Sequence, residues 1–165
     1  MTISEEHFNH GYIISQVMLE ISKINNLSMS IEKALSRTGY IAHIKAGQRT
    51  IDFGLLIKYS KKRKSPWRYT FTRDHQTEID ILQDSVQEVF VVLVNKDDGV
   101  VCLTYSMLKE ILDDHHEDTE WVSVQSKLGS QYTVQGKDGK LRKKISRKDF
   151  PRIFHSYVET LLPIQ

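Results

Sequence analysis

The run Val89-Phe90-Val91-Val92-Leu93-Val94 constrains the fold more than any other stretch of the chain. Six consecutive apolar residues, most of them β-branched, leave no polar face for water. Such a strand belongs in the middle of a sheet covered on both sides. Asp97-Asp98-Gly99 follows as a hairpin turn, and Val100-Val101-Cys102-Leu103 returns beside the first strand. A chain of 165 residues gives one domain room to build such a core. Helices must therefore flank the sheet, and the sequence predicts an α/β (α+β) class: a mixed central sheet with helices on its faces.

Around this run the patterns alternate. Ser4-Glu5-Glu6 reads as a helix start, and Phe8, Tyr12, Val17, Met18 and Ile21 carry helical spacing to about Lys23. Ser30 and Ile31 to Leu35 read as a short helix that Gly39 terminates. Strands are predicted at 40–44, 50–57 and 67–72. A helix follows from Asp74 through Leu82, and another from Tyr105 to Leu112. The last third predicts strands at 120–125, 131–135 and 140–145, with a hairpin at Lys137-Asp138-Gly139. A C-terminal helix carries Ile153, Tyr157 and Leu161. Trp67 and Phe71 are expected in the core, with Tyr69 open to either face. The core is placed at about residues 5–112 and the β-rich extension with its helix at about 119–162, within a single domain.

Charge is strongly segregated. The net charge is only +2, yet windows 58–73 and 137–152 hold 15 of the 23 basic residues and net +13, which leaves −11 for the rest. Residues 110–120 carry six acids and no lysine or arginine. A basic end and an acidic end suit the orientation of a polyanion. The candidate phosphate contacts are Lys58, Lys61, Lys62, Arg63, Lys64 and Arg68 in the first window, and Lys140, Arg142, Lys143, Lys144, Arg147 and Lys148 in the second. The bland alternative is a pair of solvated, lysine-rich sheet edges.

Several chemistries are set aside. The single cysteine, Cys102, excludes an internal disulfide and reads as a buried core residue. His7 with His10, and His115 with His116, are spaced as ligand pairs but lack a third partner, so polar helix ends explain them better. P-loop, dinucleotide and nucleophile-elbow signatures are not found. No run reaches the roughly 18 apolar residues of a membrane span. The acidic N-terminus and the lone thiol favour a reducing, cytoplasmic setting.

The order helix, three antiparallel strands, helix, buried strand resembles the core of the restriction-endonuclease-like superfamily, the PD-(D/E)XK nucleases, over about residues 5–112. Asp52 on the second expected strand adds to that resemblance. Active members place an Asp on the second core strand and an acid-x-Lys triplet on the third, where the carboxylates hold a divalent metal. Here the third expected strand, Trp67 to Thr72, has neither acid nor lysine. The resemblance therefore implies a degenerate member, and the leading expectation is a non-catalytic nucleic-acid-binding protein, on DNA more than RNA, in DNA metabolism or phage–host defence. The first alternative is a Mg2+-dependent endonuclease with a rearranged centre of Asp52, Lys58 and Glu20, with Asp74 or Glu78 in reserve; otherwise no cofactor is expected. The second is a protein-interaction or accessory subunit using the acidic segment 110–120. An open sheet edge would also allow a homodimer.

Overall fold

The computed structural model describes residues 2–34, 36 and 38–162. Helix α1 spans Glu5–Ile21. Ser4 caps it reciprocally: its hydroxyl accepts the His7 N–H at 3.2 Å, and His7 Nδ1 accepts the Ser4 N–H at 3.1 Å. Ile13, Val17 and Ile21, one turn apart, form its buried face.

Strands β1 (Ser28–Lys33), β2 (Gly39–Ala46) and β3 (Arg49–Ser60) form an antiparallel meander. The short helix expected at 30–35 is corrected to β1, with Leu35 outside the described residues. Met29 and Ile31 pack at a spacing of two against the core, and all six residues of β1 pair with β2. Sheet pairing overrides the local helical preference of this stretch.

Strand β4 (Trp67–Thr72) matches its expected bounds but not its place. It pairs with β7 (Thr119–Gln125) rather than with β3, and it starts a second sheet completed by β8 (Thr133–Gly136) and β9 (Gly139–Lys140). The β4–β7 pairing thus joins the stretch expected as the core, 5–112, to the β-rich stretch expected as its extension. Helix α2 (Arg73–Ser85) returns the chain to the first sheet, where β5 (Glu88–Asn95) lies parallel to β3, and β6 (Gly99–Thr104) closes the edge. The first sheet runs β1-β2-β3-β5-β6.

The expectation for the 89–94 run holds. Val89, Val91 and Leu93 face one core, and Phe90, Val92 and Val94 face the other. The second of these cores is closed by α1 and by α4 (Asp149–Leu161), through Ile13, Val17, Phe154 and Val158. The first is closed by α2, α3 (Tyr105–Ile111) and the inner face of the second sheet, so one core cluster joins both sheets. Trp67, Tyr69 and Phe71 all point into it, and Cys102 is buried in the other. The fold is thus mixed α/β, with a five-stranded mixed sheet, a four-stranded antiparallel sheet and four helices. No helix among the described residues is long and apolar enough to cross a membrane.

Candidate nucleic-acid interface

Alternation along the second sheet sends its apolar residues inward and leaves a polar face outward. Arg68, Ser123, Gln135 and Lys140 stand in register across its four strands. Thr70 pairs with Trp121 one step along. The Arg68 guanidinium lies 4.5 Å from the centre of the Trp121 ring, a cation–π contact that keeps both groups at the surface. Arg68, Thr70 and Lys140 are exposed, while Trp121 is half-buried.

The two basic windows meet at one end of this face. Ser65 Oγ in the first accepts the N–H of Ser126 at 3.0 Å. Ser126 Oγ in turn accepts from the Arg147 guanidinium of the second at 2.7 Å. Arg63 and Lys64 are exposed there, as are Arg142, Lys143 and Lys144 along the β9 side. Lys148 is exposed just before α4.

Other expected phosphate contacts are spoken for. Arg147 donates to Ser130 O at 2.7 Å, reaches Asp98 Oδ2 at 2.9 Å and lies 4.6 Å over the Tyr132 ring. It braces the loops rather than facing solvent as a free cation. Lys61 sits 3.6 Å from Glu5, and Lys62 donates to Pro66 O at 2.9 Å. Lys137 belongs to the opposite end, where it pairs with Glu117.

Lys58 is turned inward. Its ammonium donates to Thr70 O at 2.8 Å and to His75 Nδ1 at 3.1 Å. His75 Nδ1 also accepts the Thr72 N–H at 3.3 Å as part of a capping box, so its ring proton resides on Nε2. Burial lowers the Lys58 pKa to about 8, with Glu78 opposing the shift. Burial and the nearby Lys58 charge lower that of His75. Both groups line a cleft of about 370 Å3 shared with Glu6 and His10 of α1 and with Arg68. The cleft opens beside the polar face, and sequence reading had no signal for it beyond the lysine itself.

The expected metal-dependent trio is not brought together. Asp52 and Lys58 share one face of β3 but stand six residues, roughly 20 Å, apart. Glu20 lies in α1 on the other side of the sheet, paired with Lys23 Nζ at 2.9 Å. Asp52 instead accepts from His43 Nδ1 at 2.7 Å, and His43 Nε2 reaches Glu32 at 3.1 Å. These hydrogen bonds, that to Asp52 foremost, raise the His43 pKa. When the ring is protonated, its two N–H groups donate to the flanking acids and its charge sits between them. With β1 now the first strand of the meander, Asp52 falls on the third strand, and Gly54 occupies the position two residues on.

Comparison with protein-family models, with curated proteins and with solved structures finds no match for this chain.

Proposed function

We propose that this chain binds nucleic acid, DNA in preference to RNA, without cleaving it, on the outward face of the second sheet and the basic rim beside it. One observation carries the reading: Arg68, Trp121 and Lys140 share a polar sheet face flanked by Arg63, Lys64 and Arg142 to Lys144. Lysines and arginines there neutralise phosphates and release counterions, while the Trp121 ring and the Arg68 plane offer surfaces on which a base can stack. Support for a restriction-endonuclease-like scaffold comes from the meander β1-β2-β3, the crossover through α2 and the parallel, doubly covered β5. The acid-x-Lys spacing that the resemblance calls for is missing from β3, and His43 bridges the acids nearest to it. A binding role needs no such centre.

The test is fluorescence anisotropy with short labelled duplex DNA, single-stranded DNA and RNA at low and physiological salt. Wild-type protein binds DNA more tightly, and the paired reversals Arg63→Glu with Lys64→Glu and Arg142→Glu with Lys143→Glu each weaken binding at least tenfold. Absence of binding at low salt overturns the proposal. Cleavage of the same DNA in Mg2+ that is lost in Asp52→Ala overturns its non-catalytic part.

A further inference from the structure

At the acidic end of the second sheet, three carboxylates converge from three separate elements. Asp113 follows α3, Glu120 lies on β7, and Asp138 forms the turn between β8 and β9; one oxygen of each lies within 4.8 Å of the others. Backbone hydrogen bonds hold them in place. The Asp138 N–H donates to Ile111 O at 2.9 Å, the Asp113 N–H donates to Asp138 Oδ2 at 3.1 Å, and the His115 N–H donates to Asp113 Oδ1 at 2.9 Å. Glu120 is 1% exposed. Its Oε2 accepts from Gln76 Nε2, whereas its Oε1 is buried with no hydrogen-bond partner. The nearest cation to that oxygen, Lys137 Nζ, stands 3.9 Å away and is paired more closely with Glu117.

A buried carboxylate oxygen without a donor is costly, and two further carboxylates within reach of the same glutamate add repulsion. A hard divalent cation answers both. The group offers oxygen donors only, which selects the Ca2+ and Mg2+ class over zinc or copper. Its span matches the distance across a Ca2+ ion with ligands at about 2.4 Å, and water completes the six to eight positions such an ion takes. We propose that Asp113, Glu120 and Asp138 form a Ca2+ site that ties the end of α3, β7 and the β8–β9 turn together. The site lies at the opposite end of β7 from the basic rim, so it stands or falls separately from nucleic-acid binding.

Terbium luminescence tests it, because Trp121 adjoins Glu120 and can sensitise a bound Tb3+ ion. Wild-type protein shows tryptophan-excited Tb3+ emission that Ca2+ displaces, and its melting temperature rises with Ca2+ concentration. The isosteric pair Asp113→Asn with Asp138→Asn loses at least tenfold in Ca2+ affinity. In EDTA the same variant melts no lower than wild type, which shows that the fold survives. Emission that millimolar Ca2+ fails to displace, or affinity unchanged in the double variant, overturns the proposal. So does a silent wild type beside a Lys137→Met variant that binds, since the lysine would then be the resident cation.

Discussion

At the scale of single residues, two titrating groups have opposite environments and opposite consequences. Lys58 is half-buried, and desolvation lowers its pKa to about 8, against about 10.4 for a lysine free in water, which leaves a large neutral fraction at mildly alkaline pH. Acylation by an activated ester at pH 8 should therefore modify Lys58 ahead of Lys64 or Lys143 when followed by peptide mass mapping. Uniform labelling across the lysines would contradict this. Stability linked to Lys58 rises with pH between about 8 and its ordinary value of 10.5, because there the unfolded chain holds a proton that the folded chain has lost. His43 runs the other way. Its pKa is raised above 6.5, so the stabilisation from Asp52 and Glu32 is complete below 6.5 and lost as pH climbs through the folded value. A third of the His43 side chain is exposed and solvent screens the pair, which limits the effect to roughly 0.5–1 kcal/mol. An NMR titration should place the His43 midpoint above 6.5 in the wild type and nearer 6.5 in Asp52→Asn.

At the scale of elements, glycines separate positions where backbone meets backbone from positions with open space. A Cβ at Gly136 would strike the Ile111 carbonyl, which cannot rotate away, because the β8–β9 hairpin lies directly on the end of α3. Gly11 is an interior residue of α1 whose Cβ would meet nothing within 4 Å. Urea unfolding should show Gly136→Ala destabilised by about 1–3 kcal/mol, and Gly11→Ala stabilised by about 0.5–1 kcal/mol. Equal effects at the two sites would contradict the close approach. Elements were legible in the sequence wherever a local rule decided them: the Ser4 cap, the Asp97-Asp98-Gly99 turn and the two-sided burial of 89–94 all follow from neighbouring residues. The stretch 30–35 misled because Ser-Ile-Glu-Lys-Ala-Leu suits a helix, and only its distant partner β2 makes it a strand. Strand β4 was found to the residue, yet its partner β7 lies some fifty positions on, a pairing that no local pattern encodes. The site was legible to the same degree. The basic loops and the outward Arg68 follow from composition and alternation, whereas Arg147 bracing Asp98 and His43 between two acids depend on which strands come together.

At the scale of the whole molecule, β4 and β7 run from a basic pole at Lys64 and Ser126 to an acidic pole at Asp118, roughly 20 Å apart. Total charge is nearly balanced, so attraction to a polyanion depends on which pole approaches it, and the acidic pole opposes contact. This separates cations by position rather than by number. Arg142, Lys143 and Lys144 are exposed along the β9 side, while Lys137 is paired with Glu117 at the acidic pole. If four of the free cations neutralise duplex phosphates, log K against log salt falls with a slope of about −3.6. Replacing Arg142, Lys143 and Lys144 together by alanine removes up to three of those contacts and should bring the slope towards about −1. Lys137→Ala removes one positive charge as well, but from the wrong pole, and should leave the slope unchanged. Arg147→Ala should lower the melting temperature through its lost loop contacts while altering the slope little. A slope that tracks only the number of charges removed, irrespective of pole, would mean that the polyanion is held by net charge and not by the face built from Arg68, Trp121 and Lys140.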